Sequence, residues 1–177
     1  MKKTFLLLGI ILFVAGSVSA QQIASVVESA IAQYRQQNSS APSSLRITSN
    51  DRSWEDQLRI VLNSQSASYP NIKRNFLVYS RLSSLPTFAE VSANRDWMAW
   101  WEDQIMRQAG EPGGFEHVGG RAVDVSVRDL NVQQKTEFFR ILQSRGVNVL
   151  MEYYDSSSRN AQFGVEVERA NLFHCTL

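Results

Sequence analysis

Residues 22–36 place apolar side chains at Ile23, Val26, Val27, Ala30, Ile31 and Tyr34, the spacing of a helix with one face to bury. The run Asn38-Ser39-Ser40-Ala41-Pro42-Ser43-Ser44 has loop composition, and Leu45 to Ser49 reads as a short strand. Ser53 is placed to cap a helix running to about Asn63, with Asp56 at the third helical position in an acidic variant of the capping box. A second helix follows Pro70, where Ile72, Phe76, Leu77, Tyr79 and Leu82 keep a helical face. Pro86 breaks that pattern, and a third helix is predicted from about Thr87 to Ala109. It carries Trp97, Met98, Trp100 and Trp101, side chains that either pack the helix onto a sheet or wall a substrate groove.

Beyond the glycine-dense loop at 110–114, residues 121–127 alternate: Ala122, Asp124 and Ser126 against Val123, Val125 and Val127. This is a half-buried strand with Asp124 on its polar face. Residues 131–144 form an amphipathic helix through Val132, Phe138, Phe139, Ile141 and Leu142, with Gly146 as its C-terminal cap. Val147 to Tyr153 reads as a strand, Asp155 to Asn160 as a polar turn, Phe163 to Glu168 as another strand, and Leu172 to Cys175 as the last. Early helices with later strands joined by turns specify an α+β fold with an antiparallel sheet packed by helices.

The N-terminus changes the compartment. Lys2 and Lys3, an apolar run from Phe5 to Ala15, and the small residues Val18-Ser19-Ala20 have the three parts of a secretory signal peptide. The run is too short for an ordinary transmembrane helix, so no stable membrane insertion is expected after cleavage. Eighteen Lys and Arg against 17 Asp and Glu leave the chain near neutral. That charge balance implies no polyanion-binding field and no nucleic-acid partner. The single Cys175 cannot form an internal disulfide. Export with an unpaired thiol suggests a bacterial periplasmic location.

The candidate chemistry starts from two histidines. His117 stands in His117-Val118-Gly119-Gly120-Arg121-Ala122-Val123-Asp124, a loop entering a strand, and His174 in Asn171-Leu172-Phe173-His174-Cys175. Imidazole and carboxylate are good zinc ligands, and hydrolytic zinc needs three protein ligands and one open position. Spacing alone leaves a second possibility: one packed histidine, one exposed histidine, and Asp124 in a turn. Cys175 follows His174 directly, so in a strand the two side chains face opposite ways. This favours a buried small apolar residue at Cys175 over a fourth ligand.

A further segment, Arg46-Ile47-Thr48-Ser49-Asn50-Asp51-Arg52-Ser53-Trp54-Glu55-Asp56-Gln57, runs from strand through turn to helix. Together, these segments resemble the zinc D-alanyl-D-alanine carboxypeptidase/endopeptidase family, whose fold is shared with the Hedgehog signalling domain. Ser49, Arg52, Ser53 and Gln57 match its first motif; His117, Gly120, Ala122 and Asp124 match its second; His174 is left for the third. The resemblance spans about residues 45–177, after a signal peptide at 1–20 and a helix and linker at 21–44. It implies a Hedgehog/DD-peptidase-like fold, Zn²⁺ held by His117, Asp124 and His174, and peptidoglycan stem peptides as substrate. Ser49, Arg52 and Gln57 would face that substrate, with the Arg52 fork able to hold a carboxylate at two points. An ordinary ion pair with a neighbour such as Glu55 is the alternative for Arg52.

Four positions depart from the family pattern. Phe115 replaces a serine two before the first histidine, Asn50 and Asp51 replace Gly-Tyr, and Asn171 stands where the catalytic Glu is expected. An amide cannot act as general base. If residues 163–168 and 172–175 form a hairpin around Arg169-Ala170-Asn171, Glu166 lies opposite His174 with Cβ atoms about 5 Å apart. Glu166 is then the expected acid/base, with Glu168, Glu152 and Glu116 behind it. Three functions follow: a zinc peptidase cutting D-amino-acid bonds, a silent zinc-bearing relative that binds peptidoglycan or a protein partner, or a metal-free exported binding domain.

Overall fold

The computed structural model describes residues 20–64, 69–111, 114–155 and 160–177. The signal-peptide segment 1–19 lies outside the described residues, as does most of the polar turn expected at 155–160. The fold is mixed α+β, with six α-helices and a five-stranded antiparallel sheet among the described residues. The elements are α1 (Ala20–Gln37), β1 (Arg46–Ser49), α2 (Trp54–Asn63), α3 (Pro70–Ser80), α4 (Phe88–Ser92), α5 (Arg95–Ala109), β2 (Ala122–Ser126), α6 (Val132–Ser144), β3 (Asn148–Asp155), β4 (Asn160–Phe163) and β5 (Leu172–Thr176). The strands lie in the order β1-β2-β5-β3-β4. No helix among the described residues is long and apolar enough to cross a membrane.

Period-two alternation gives the sheet two different faces. Val123 and Val125 of β2 and Phe173 and Cys175 of β5 point to one side. There they join Ile23, Val27 and Tyr34 of α1 and Phe138 and Leu142 of α6 in a fully buried cluster. The helix at the start of the chain is thus part of this core. Cys175 is buried within it, and burial pushes its thiol up, as suits a packing residue rather than a ligand. The other face carries the row Ser49–Asp124–His174–Leu150, aligned strand by strand from β1 to β3.

A second cluster forms among the helices, from Leu58 and Val61 of α2, Ile72 and Phe76 of α3, Val91 of α4, and Trp101 and Ile105 of α5, with Phe115 and Val118. The tryptophans belong here. Trp97, Trp100 and Trp101 surround Phe76 at centroid distances of 4.8–5.7 Å, so they pack helix on helix and neither cover the sheet nor wall the groove. The single helix expected over 87–109 is two helices. Asn94 interrupts it by accepting from the backbone N–H groups of Asp96 and Trp97, a new N-cap that outcompetes continuation. Thr87 and Glu90 form a full capping box at the start of α4.

The hairpin expected between 163–168 and 172–175 is not formed. The strand ends at Phe163, and Gly164 turns the chain with φ +66°. The following residues cross to β5, whose two neighbours are β2 and β3. The positions opposite His174 are therefore Asp124 and Leu150. Glu166 lies exposed in the connecting loop, and its backbone carbonyl accepts from the N–H groups of Arg169 and Ala170. Its assignment as acid/base is corrected accordingly. A turn residue with positive φ, followed by a short helical turn, replaced the continuous strand on which the register depended.

Candidate metal centre

Two backbone devices bring the motifs together. Gly119 and Gly120 take φ +82° and +67°, a conformation that side-chain-bearing residues rarely adopt, so the chain reverses sharply between His117 and β2. The His117 carbonyl then accepts from the N–H of Gly120 at 3.1 Å and from that of Arg52 at 3.0 Å. An isolated bridge pairs Arg52 with Val118. The strand-to-helix motif is thereby tied by main chain to the histidine motif.

Asp124 Oδ1 is the centre of the cluster. His117 Nε2 lies 3.1 Å from it and His174 Nδ1 3.0 Å. The three ligand atoms all fall within 4.8 Å of one another. Tetrahedral zinc with ligand bonds of about 2.0–2.1 Å sets neighbouring donors about 3.3 Å apart, so the two measured separations already have the required spacing. Two imidazoles and one carboxylate are a common hydrolytic donor set. The His117 Nδ1 is buried with no protein partner, an orientation that leaves one ring nitrogen uncompensated in order to present Nε2 to Asp124. By donor type, with the three ligand atoms within 4.8 Å of one another, the group could hold a metal ion.

The electrostatics follow from this packing. Burial opposes ionisation of Asp124, but hydrogen bonds and charge from His117 and His174 overcome it and bring the carboxyl down to about 2. Burial alone would lower His174; its bonds to Asp124 and Glu116, with their charges and that of Glu152, raise it to about 9.

Glu116 and Glu152 are the two further carboxylates at the site, and they occupy different positions. Glu116 Oε2 sits 3.1 Å from His174 Nε2, the nitrogen turned away from Asp124. It therefore backs the imidazole and fixes which nitrogen faces the ligand cluster, as carboxylates behind metal-bound histidines do. Glu116→Gln is expected to weaken zinc binding about 10–100-fold, measured by competition against a chelator, while the fold is retained. Unchanged affinity would remove Glu116 from the site.

Glu152 is on the other side. It projects from β3 one row beyond Leu150, is 8% exposed, and brings Oε1 to 4.0 Å from His174 Nδ1. It stands beside the His117/Asp124/His174 group without a hydrogen bond to it at this distance. Burial, followed by the Asp124 charge, raises its carboxyl to about 7, with His174 opposing.

Arg52, Ser49 and Gln57 form one unit. The guanidinium donates to Gln57 Oε1 at 2.8 Å and to Ser49 Oγ at 2.9 Å, and Ser49 is cross-strand from Asp124. Gln57 is buried. Arg52, Gln57, His117, Asp124, Glu152 and His174 all line one groove of about 700 Å³, between the helical cluster and the open face of the sheet. Phe115, at the serine position of the family motif, is in its wall and stacks obliquely on Tyr69 at 5.8 Å.

Asn171 proves to be a framework residue. Its side chain accepts from the Tyr154 N–H at 2.8 Å and donates to the Tyr154 carbonyl at 2.7 Å, standing in for a strand peptide group beside β3. Because both amide functions are used, Asn171→Glu is expected to lower stability by about 1–2 kcal/mol and to add no turnover. Denaturant unfolding with a peptidase assay checks both. Glu166 was expected beside His174 and is not there; Glu152 and Glu116, expected behind it, are, and a buried acid in the otherwise apolar stretch Val149-Leu150-Met151-Glu152-Tyr153 was the signal for Glu152.

Comparison with protein families, curated proteins and solved structures gives no match.

Proposed function

We propose that this chain is an exported zinc peptidase that hydrolyses peptidoglycan stem peptides at D-amino-acid bonds, acting in the periplasm as a carboxypeptidase or endopeptidase. The observation that carries the reading is the convergence, in one groove, of a His117/Asp124/His174 donor set, a separate buried acid at Glu152 and the Arg52–Ser49–Gln57 unit. The order of motifs along the chain supports the resemblance to the D-alanyl-D-alanine carboxypeptidase/endopeptidase family and its Hedgehog-type fold.

A zinc ion held by His117, Asp124 and His174 would supply Lewis-acid polarisation of the scissile carbonyl and acidification of a water. The rest falls to the protein's own residues. Arg52, held through Nη1 by Gln57 and through Nη2 by Ser49, would offer its remaining N–H groups to a substrate carboxylate and so fix the peptide's direction. As water oxygen adds to the carbonyl carbon, Glu152 accepts its proton; as the C–N bond breaks, Glu152 delivers that proton to the departing amine. Glu116 holds the His174 ring throughout.

The silent-relative reading drew on the amide at Asn171. That side chain is bound to the Tyr154 backbone, so the proposed base must come from another residue of the groove, Glu152. The test is metal content of the purified chain together with digestion of whole peptidoglycan sacculi. About one zinc per chain with release of D-alanine or cleaved stem peptides is expected. A folded, zinc-loaded protein that releases nothing overturns the reading.

A further inference from the structure

A second cavity, of about 390 Å³, lies at the end of the sheet where β2 and β3 finish and β5 begins. It shares Tyr154 with the groove and contains none of the metal ligands. Three cations line it, Arg128, Lys135 and Arg169, against one carboxylate, Asp155. Among the described residues none of the three cations stands in an ion pair.

Lys135 is the telling member. It is 6% exposed and sits in the N-terminal turn of α6, where the helix dipole disfavours a cation. An ammonium has three N–H donors. One of them goes to the Glu168 carbonyl at 3.0 Å, and the other two have no partner among the described residues. Burial holds the ammonium below the ordinary lysine range, and no neighbouring charge offsets it. A buried cation without a counter-charge is costly, yet the fold keeps one in the wall of a cavity. The two arginines are positioned around it. A helical turn, in which the Arg169 and Ala170 N–H groups donate to the Glu166 carbonyl, carries Arg169. The Arg169 guanidinium donates to Gln162 Oε1 at 2.9 Å and lies 5.9 Å over the Tyr153 ring. Arg128 is set by its neighbour Val127, whose N–H donates to the Asn171 carbonyl at 3.0 Å.

We propose that this cavity binds a phosphate monoester, with Lys135, Arg128 and Arg169 around the phosphoryl group and Tyr153 and Tyr154 beside the group esterified to it. The surplus of two positive charges in the lining matches a phosphate monoester, which carries about −1.5 to −2 at neutral pH. A carboxylate, singly charged, would leave one cation uncompensated. Guanidinium forks and an ammonium are the usual phosphate-binding groups. The volume falls within the roughly 300–1,000 Å³ of small-ligand sites, so a phosphate has room for the group it is attached to. The site is independent of the peptidase reading, because neither the metal ligands nor Glu152 takes part in it.

The test titrates the full chain calorimetrically with inorganic phosphate, glucose 1-phosphate and acetate. Both phosphates are expected to bind more tightly than acetate. Lys135→Gln, whose amide can still donate to the Glu168 carbonyl, is expected to weaken glucose 1-phosphate about 10–100-fold, the worth of a charge-assisted hydrogen bond. Arg128→Gln combined with Arg169→Gln changes two exposed side chains only and is expected to weaken it at least as much. Should Lys135→Gln fail to fold, this arginine pair decides alone. Repeating the titration after chelation is expected to give the same affinity, which separates the cavity from anion binding at a metal. Phosphatidylcholine vesicles with and without phosphatidic acid distinguish the source of the phosphate. Co-sedimentation that needs phosphatidic acid and is lost in the arginine pair assigns a lipid headgroup; binding of glucose 1-phosphate without co-sedimentation assigns a soluble ester. No binding of either ester overturns the site. So does acetate bound as tightly as phosphate, an affinity that the lysine and arginine variants leave unchanged, or one that disappears on chelation.

Discussion

Glu152→Gln is expected to lower peptide hydrolysis by about 10²–10⁴-fold, the usual contribution of a positioned general base, while zinc content and fold stay as in wild type. The amide keeps the shape of the side chain, so the packing against β5 and β4 is preserved, and the change removes proton transfer alone. The carboxylate lies 4.0 Å from the nitrogen of His174 that faces Asp124. In the proposed mechanism it is the carboxylate that takes the proton of the attacking water. Glu166→Gln provides the control: an exposed loop residue should leave turnover at the wild-type level. Steady-state kinetics on a stem peptide, with elemental analysis of each preparation, decides the matter. Full activity in Glu152→Gln would exclude it as the proton carrier.

The second large effect is on metal and stability together. His117→Ala is expected to abolish stoichiometric zinc binding and to erase the dependence of thermal stability on zinc. A ligand that binds only the folded state adds RT ln(1 + [L]/Kd), about 4 kcal/mol at a thousand times Kd, and structured zinc ligands exist only after folding. Wild type should therefore melt higher with zinc than after chelation, whereas His117→Ala should melt at one temperature in both conditions. Scanning calorimetry of the four samples gives the answer. A wild-type protein whose melting temperature ignores added zinc would rule out the metal centre.

The pairing of His117 with Asp124 was legible because its signal is local, whereas His174 entered only through the resemblance. The glycine turn and alternating strand after His117 fix the direction of Asp124, and Ser53 as an N-cap fixes the start of the helix that carries Gln57. The α+β class and the antiparallel sheet could likewise be read from helical and alternating periods. What stayed hidden was pairing. Nothing within residues 160–176 says that the last strand joins β2 and β3, and that choice moved Glu166 into a loop and brought Glu152 forward. The division of the 87–109 helix turned on one side chain, Asn94, whose cap competes with a pattern that otherwise reads through it. The tryptophans illustrate a similar limit: periodicity identifies a buried face, but it does not name the surface that covers it.

The strand order has a consequence for how the protein matures. The strand bearing His174 is the last in chain order among the described residues, yet it fills the middle of the sheet, between β2 and β3. Before it inserts, β2 and β3 each expose an unpaired edge and the third ligand is fifty residues of chain away from Asp124. Pairing of this kind closes long loops and is slow. Capture of the proposed zinc would therefore wait for β5 to pair, and a chain lacking that strand would present open edges on β2 and β3. Zinc supplied during refolding should accelerate nothing before that step, and should trap the chain once it is complete.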